Sequence, residues 1–197
     1  MAVGAATPLP IESDEQLLAR FAAGRRDALD ELFGRYRLLA YRVAYRLLGN
    51  EADALDAVQE GFVKVLTHLD GFEGRSSFKT WLLRVVSNAA LDLGRQRGRR
   101  EVLSLERVRD GDQSPARPFS GDDPTKRLER ADLRHLLNQA LATLPEAQRH
   151  TFVLHADGEL NYREVAEVLG ISIGTVMSRI FYARQRLRAY LAMRIPV

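Results

Sequence analysis

The last third of the chain constrains its fold most, because two helical patterns there are separated by a tight glycine turn. The first pattern starts at Tyr162 and ends at Leu169-Gly170, and the second begins after Ser172. Glycine is typical of a helix end and serine of a helix start. Two helices joined in this way predict a helix-turn-helix, whose second helix can enter the major groove of DNA.

The second helix of this motif combines an apolar face with a polar, basic one. Val176, Ile180 and Ala183 recur at steps of three or four residues, the spacing of a face that packs inward. The other face carries the side chains that we expect to contact DNA, namely Thr175, Met177, Ser178, Arg179, Phe181 and Tyr182. A plain helical hairpin with a solvated basic face is the alternative interpretation. The turn, the cap and the basic face occur together, which favours DNA binding.

The distribution of charge also suits a nucleic-acid partner. Lys and Arg number 29 against 26 Asp and Glu, but the basic residues are unevenly placed. Arginine-rich segments lie at residues 84–100 and 179–194, and two such segments suit contact with phosphates better than a diffuse excess. The chain has no cysteine, which excludes disulfides, thiol catalysis and cysteine-ligated zinc and fits a cytoplasmic protein.

Helical periodicity runs through most of the chain, without strand-like alternation longer than a few residues. We therefore predict an all-α fold of two small helical domains joined by a flexible linker, the C-terminal one a helix-turn-helix. Ser13 and Gln16 mark the first helix start as a capping box. Glycine, proline and scattered charge mark the linker. The predicted boundaries are a flexible tail over 1–12, an N-terminal domain over 13–98, the linker over 99–123 and a C-terminal domain over 124–197.

The third and fourth helices are the parts of the N-terminal domain that matter most for function. The third is expected from about Glu51 to Leu69, and the fourth from about Phe78 to Arg97. In the C-terminal domain, Pro145 is expected in the first turn of a helix. The apolar side chains expected to face inward from the third helix are Leu55, Val58, Phe62, Val65, Leu66 and Leu69.

One face of the third helix is acidic. Asp53, Asp56 and Glu60 recur at i, i+3 and i+7, with Gln59 beside them. A carboxylate cluster is able to bind a metal ion, but no histidine or second acidic helix is positioned to complete a coordination shell. We therefore predict no metal and no cofactor. A solvated acidic face, or a face that docks on a basic partner helix, is the interpretation that we favour.

Aromatic and basic residues interleave from Asp70 to Arg100. Bases stack on aromatic rings at about 1–3 kcal/mol each while arginines hold the backbone, so this pattern is typical of binding to single-stranded nucleic acid. The alternative is that the rings belong to the core. We favour the core for Phe78 and Trp81 and leave both interpretations open for Phe72.

Three ordered motifs resemble those of one bacterial family. Residues 53–64, DALDAVQEGFVK, are similar to its polymerase-docking helix. Residues 78–82, FKTWL, are similar to the start of its promoter-melting helix, and residues 174–179, GTVMSR, to its second DNA reader. The chain thus resembles the extracytoplasmic-function (ECF) sigma factors, the two-domain members of the sigma-70 superfamily. The resemblance covers nearly all of residues 14–191 except the linker.

This resemblance implies a sigma factor that directs core RNA polymerase to promoter DNA and has no active site of its own. The residues that it implies for polymerase binding are Asp53, Asp56, Gln59 and Glu60. Recognition and melting of the minus-ten element would fall to Phe72, Ser76, Asn88, Asp92 and Arg95, with the loop at 72–77 holding a flipped base. Recognition of the minus-thirty-five element would fall to Thr175, Met177, Ser178, Arg179, Phe181 and Tyr182. An anti-sigma factor is a further implied partner, with no small-molecule substrate and no insertion into the membrane.

Two residues depart from the pattern of this family. Met177 and Tyr182 stand where basic residues are common, so the minus-thirty-five sequence does not carry over from relatives. The alternative hypothesis is a free-standing helix-turn-helix transcriptional regulator that binds duplex DNA as a dimer. That hypothesis gives no role to the acidic helix or to the aromatic loop.

Overall fold

A computed structural model of the chain describes residues 12–104 and 124–194. Within these ranges all regular structure is helical, which confirms the predicted all-α class. The predicted tail up to residue 11 and residues 105–123 of the predicted linker lie outside the described residues. The helices are α1 (Asp14–Ala22), α2 (Asp27–Leu48), α3 (Glu51–Thr67), α4 (Phe78–Ser104), α5 (Pro124–Ala142), α6 (Glu146–Ala156), α7 (Tyr162–Leu169) and α8 (Ile173–Ala192), with a short 3₁₀ turn at Leu69–Gly71.

Three predicted helix ends lie where the sequence signals place them. Ser13 and Gln16 form the expected capping box at α1. Ser172 caps α8 by accepting a hydrogen bond from the Thr175 amide. Gly170 follows α7 with φ 63°, in the left-handed region that favours glycine, and so permits the tight turn between the two helices.

Two helix boundaries differ from the prediction. Helix α4 continues to Ser104 instead of ending near Arg97, because arginine and glutamate are good helix formers and the isolated Gly98 is not a strong stop. Pro145 is the N-cap of α6 instead of a first-turn residue, since the helix begins at Glu146. Both differences concern the ends of helices, and helix ends depend on weak local signals.

The chain divides into two compact units, one up to Leu38 and one from Leu39 onwards. In the first unit, Leu17 and Leu32 are fully buried. Arg35 pairs with the Asp14 carboxylate at 2.6 Å. The Tyr36 hydroxyl donates to the same carboxylate. Burial, followed by this hydrogen bond, raises the pKa of Tyr36. The second unit contains the packed helices that carry the candidate sites.

Helices α3 and α4 pack closely because small residues line the contact. Ala54, Ala57 and Gly61 are buried on α3. A Cβ atom at Gly61 would lie 2.7 Å from Val86 Cγ2 and 3.1 Å from Val86 Cα, so the contact leaves no room for a side chain there. The prediction that Leu55 and Leu66 face inward is wrong, because both are exposed. The close packing turns the small residues toward α4 and leaves these two leucines in solvent.

Substituting alanine for Gly61 is expected to destabilise the protein by about 1–3 kcal/mol, because the added methyl group overpacks the contact with Val86. The free energy of unfolding in urea measures the effect. Gly34→Ala is the matched control, since Gly34 is also helical and has no atom within 4 Å of the added Cβ. The control should gain about 0.5–1 kcal/mol from helix propensity. Equal gains in both variants would contradict the packing described for α3 and α4.

Candidate nucleic-acid and polymerase interfaces

Helix α8 holds three large side chains in solvent while packing through its other face. Val176 and Ile180 are buried as predicted. Met177, Phe181 and Tyr182 are 54%, 64% and 52% exposed. The Phe181 and Tyr182 rings meet edge to face with 5.4 Å between their centroids. Adjacent exposed apolar side chains of this size typically mark a contact surface.

The other predicted DNA contacts of α8 lie differently. The Thr175 hydroxyl oxygen is 2.8 Å from that of Ser172, within the cap. Ser178 donates its hydroxyl to the Thr175 carbonyl at 3.0 Å. Arg179 is half-buried on the flank of the helix and faces a cleft toward α4. The six residues of the predicted reading face therefore divide into an outward group of large side chains, two hydroxyl residues in the first turns of the helix and a flanking arginine.

The aromatic residues before and within α4 form one cluster. Phe72 lies on the loop, with its ring centroid 5.0 Å from that of Trp81 and 6.1 Å from that of Phe78. Phe78 is 2% exposed and belongs to the core, as expected. Trp81 and Phe72 are half-buried, as is Ser76. Phe72 thus keeps one part of its ring in solvent while the other part rests on the buried cluster.

The three predicted minus-ten residues of α4 share one exposed face. Asn88, Asp92 and Arg95 follow one another at steps of four and three residues. The Arg95 guanidinium donates to the Glu146 carboxylate of α6 at 2.6 Å. This hydrogen bond, against an opposing effect of burial, lowers the pKa of Glu146. Sequence reasoning missed Glu146 because 51 residues separate the partners.

A cleft of about 490 Å³ lies between α4 and helices α6 to α8. Its polar lining includes Asn88, Asp92, Arg95, Glu146, His150 and Arg179. His150 is buried, and burial lowers its pKa from 6.5 to about 4 despite the nearby Glu146. The ring Nε2 atom is buried with no hydrogen-bond partner. His150 is therefore neutral in the folded protein at physiological pH.

The acidic face of α3 is exposed except at one end. Asp56, Gln59 and Glu60 are exposed, and Glu60 pairs with Lys64 at 2.6 Å. Asp53 is only 22% exposed and binds Arg97 of α4 at 2.7 Å. Burial opposes ionisation of Asp53, but hydrogen bonds from Asn50 and Arg97 outweigh it and lower the pKa of the carboxyl.

Apolar side chains adjoin the exposed carboxylates of α3. Leu55, Val63 and Leu66 are 53%, 55% and 45% exposed, so the face is apolar as well as acidic. The sequence analysis did not identify these three side chains as surface residues. The helical spacing of Leu55 and Leu66 with Gln59 was the only signal that could have placed them on the same face.

Neither a metal-binding cluster nor a single membrane-spanning helix is found among the described residues. Within residues 12–104 and 124–194, no group of three or more His, Asp or Glu side chains is arranged to hold a metal ion. In the same ranges no single helix is long and apolar enough to span a membrane. Helices α7 and α8 taken together would be long and apolar enough by length and composition alone, but the chain bends by 105° between them.

Two segments of the chain match models of one protein family. Sigma-70 region 2 matches residues 32–100, and Sigma-70 region 4 matches residues 134–187. The ECF RNA polymerase sigma factor SigW of Bacillus subtilis is 32% identical over 173 residues, which cover 85% of this chain and 91% of that protein. The chain belongs to the extracytoplasmic-function group of the sigma-70 family.

Further relatives agree with this assignment. The RNA polymerase sigma-H factor of Pseudomonas aeruginosa is 33% identical over 181 residues, covering 88% of this sigma factor and 91% of its own length. SigE of Mycolicibacterium smegmatis is 38% identical over 163 residues, which cover 83% of this chain and 61% of that longer protein. The protein is thus an RNA polymerase sigma factor that acts in promoter-specific initiation of transcription.

Solved structures share the fold. CnrH, in complex with the cytosolic domain of CnrY, aligns with a TM-score of 0.69 and 28% identity, covering 93% of this sigma factor and all of that chain. The sigma factor RpoE of Bartonella quintana, in complex with the anti-sigma factor NepR, aligns with a TM-score of 0.64 and 27% identity over 84% of this chain and 99% of that one. The predicted family is therefore confirmed.

Proposed function

We propose that this sigma factor uses three separate surfaces to bring core RNA polymerase to a promoter. Helix α3 binds polymerase, the Phe72 loop and α4 melt and read the minus-ten element, and α8 reads the minus-thirty-five element. The observation that carries the proposal is the match of regions 2 and 4 to the two parts of the chain that hold these surfaces. The proposal also assigns the N-terminal domain to residues 13–98, the C-terminal domain to 124–197 and the linker to 99–123, with α4 continuing into the linker as far as Ser104.

The polymerase surface combines charge with apolar contact. Asp56 and Glu60 offer exposed carboxylates to a basic partner helix, while Leu55, Val63 and Leu66 offer apolar area beside them. Interfaces with an apolar centre and charged surroundings are typical of specific complexes. We assign the partner as the clamp helices of core polymerase. Asp53 contributes mainly by fixing the start of α3 against α4, because its carboxylate is already bound to Asn50 and Arg97.

The melting surface is built around Phe72. An extruded base of the non-template strand has an aromatic surface to stack on, because the half-exposed Phe72 ring is supported by Trp81. Extrusion costs a few kcal/mol of stacking, and stacking on an aromatic ring returns about 1–3 kcal/mol. Ser76, half-buried on the same loop, adds a polar contact to the strand. The strand then contacts Asn88, Asp92 and Arg95 along α4.

The minus-thirty-five surface is α8 with its exposed apolar group. Met177, Phe181 and Tyr182 suit contact with thymine methyl groups in the major groove. Thr175 and Ser178 near the start of the helix bind phosphate or base edges, and Arg179 contacts the phosphate backbone from the flank.

The remaining parts of the proposal follow from this role. The sigma factor has no catalytic activity of its own, since polymerase performs the chemistry, and it acts in the cytoplasm. The solved structures of CnrH and RpoE are complexes with CnrY and with the anti-sigma factor NepR, and this supports an anti-sigma factor as a regulatory partner here.

Replacing Phe72 by alanine is expected to lower open-complex formation about tenfold, because the extruded base loses its stacking partner. Permanganate reactivity of unpaired thymines in the minus-ten element measures melting. A template that is already unpaired over this element is the control, and it should restore transcription by the variant to near wild type. An equal defect on the unpaired template would contradict the melting role of Phe72.

A further inference from the structure

The cleft between α4 and helices α6 to α8 has the size and lining of a small-molecule site. Its volume of about 490 Å³ lies within the range of about 300–1,000 Å³ that is typical of ligand pockets. Leu91, Leu169 and Ile171 form an apolar part of its lining, and Asn88 and Arg179 are among its polar residues. Ligand pockets typically combine an apolar surface with a few polar groups that fix the orientation of the ligand.

A buried histidine lines the same cleft with one ring nitrogen unpaired. His150 is 6% exposed, and its Nε2 atom is buried without a hydrogen-bond partner. Buried polar groups are usually paired, because an unpaired one lowers the stability of the fold. The neutral ring donates or accepts one hydrogen bond at each nitrogen. Because His150 belongs to the lining, a molecule bound in the cleft has a polar group to pair with there.

The charges around the ring favour an anion. Arg95 is paired with Glu146 at 2.6 Å, whereas the Arg179 guanidinium forms no ion pair or hydrogen bond within residues 12–104 and 124–194. Burial is the main cause of the lowered pKa of His150. The guanidinium groups of Arg95, Arg149 and Arg179 lower this pKa further, and one carboxylate opposes them. Three cations thus act on the ring, and the guanidinium of Arg179 is free to bind an anionic group.

We propose that this cleft binds a mononucleotide. Its phosphate is held by Arg179 and by His150, because a guanidinium and a ring N–H are donors that suit phosphate oxygens. Its base packs on the apolar part of the lining. Asn88 lies beside that part, and an asparagine amide pairs well with an adenine edge. The choice of a nucleotide over other organic anions rests on the proposed function, in which Asn88 and Arg179 contact the bases and phosphates of DNA.

A bound nucleotide uses side chains that promoter recognition also needs. Asn88 is assigned to the minus-ten face and Arg179 to the minus-thirty-five surface. One side chain cannot contact the nucleotide and the DNA at the same time, so each ligand lowers the affinity for the other by the same factor. The concentration of free nucleotide then sets how much of the sigma factor is available for promoter DNA.

Titration calorimetry of the full chain with adenosine monophosphate (AMP) tests the site. We expect saturable binding of a single AMP molecule per chain. Adenosine and inorganic phosphate should each bind at least about tenfold more weakly, because each keeps the contacts of only one half of the nucleotide. Absence of saturable AMP binding, or equal affinities for AMP and inorganic phosphate, would overturn the proposal.

Two pairs of variants locate the site. Arg179→Gln should weaken AMP binding about tenfold or more, and Arg184→Gln, at an exposed arginine of the same helix outside the cleft, is the matched control. Ala147 is exposed and lines the cleft, so Ala147→Phe blocks the cleft without removing a charge and should abolish AMP binding. Ala189→Phe, on an exposed part of α8, should bind AMP like the unaltered chain. Urea unfolding checks that all four variants are folded. Equal AMP binding within either pair would overturn the location.

Transcription by core polymerase at a mapped promoter separates this inference from the proposed function. Without AMP, the unaltered sigma factor tests the proposed function alone, and a lack of transcripts would overturn that function and not the nucleotide site. With AMP bound beforehand, the transcript yield should fall more for the unaltered sigma factor than for Ala147→Phe, whose blocked cleft controls for effects of AMP on polymerase itself. An equal effect of AMP on both would overturn the competition with DNA.

Discussion

Asp56→Arg is expected to lower transcription from a promoter that depends on this sigma factor by about a hundredfold. Asp56 is exposed near the middle of the acidic and apolar face of α3. An arginine there places like charges against a basic partner helix, which costs several kcal/mol, and each 1.4 kcal/mol is a factor of about ten. Anisotropy titration of labelled sigma factor with core polymerase, together with run-off transcription, measures the loss.

The same change of charge elsewhere provides the control for Asp56. Asp30 is an exposed carboxylate on α2, and Asp30→Arg should retain polymerase affinity within a small factor of wild type. Urea unfolding should show both variants to be folded. Polymerase binding by Asp56→Arg equal to that of the control would contradict the assignment of α3 as the docking helix.

The second large effect concerns stability at acidic pH. His150 has its pKa lowered to about 4 by burial, against 6.5 for the free side chain. Between these two values the unfolded chain binds a proton that the folded chain does not, so stability falls as the pH is lowered. The loss begins near pH 6.5 and is complete below pH 4, and this difference in pKa between the two states corresponds to about 3 kcal/mol.

Other charged groups act on the His150 ring, so the comparison of variants is what isolates the titration of His150. Glu146 on α6, Arg95 on α4 and Arg179 on α8 all face the ring, and Glu146 has a lowered pKa whose stabilising effect is also lost in acid. The free energy of unfolding in urea between pH 7.5 and 4 should fall less steeply for His150→Gln than for wild type. His68→Gln, at an exposed histidine, should follow wild type. If the free energy of unfolding fell equally steeply with pH for wild type and for His150→Gln, the result would contradict a buried, neutral His150.

The elements that the sequence predicted well depend on local chemistry. Ser13, Ser172 and Gly170 mark helix ends through hydrogen bonds and backbone conformation within a few residues, so their roles could be inferred without tertiary structure. The helix-turn-helix followed from the same signals. The apolar face of α8 was also predictable, because Val176 and Ile180 repeat with the helical period.

The features that the sequence did not predict depend on contacts between distant segments. The outward position of Leu55 and Leu66 follows from the close approach of Gly61 to Val86, which periodicity alone does not reveal. The pair of Arg95 with Glu146 and the flanking position of Arg179 depend on how α4 meets α6 and α8. The basic face of the last helix identified Arg179 as a functional candidate and the family resemblance identified Arg95, but neither signal showed that the two line one cleft.

Transcription in vitro shows directly whether this chain directs core RNA polymerase to promoters. Core RNA polymerase is supplied with genomic fragments from the source cell, with and without this sigma factor, and the 5′ ends of the transcripts are sequenced. We expect new start sites that appear only with the sigma factor and share two spaced upstream elements. Active polymerase and folded protein that together give no new start site would contradict it.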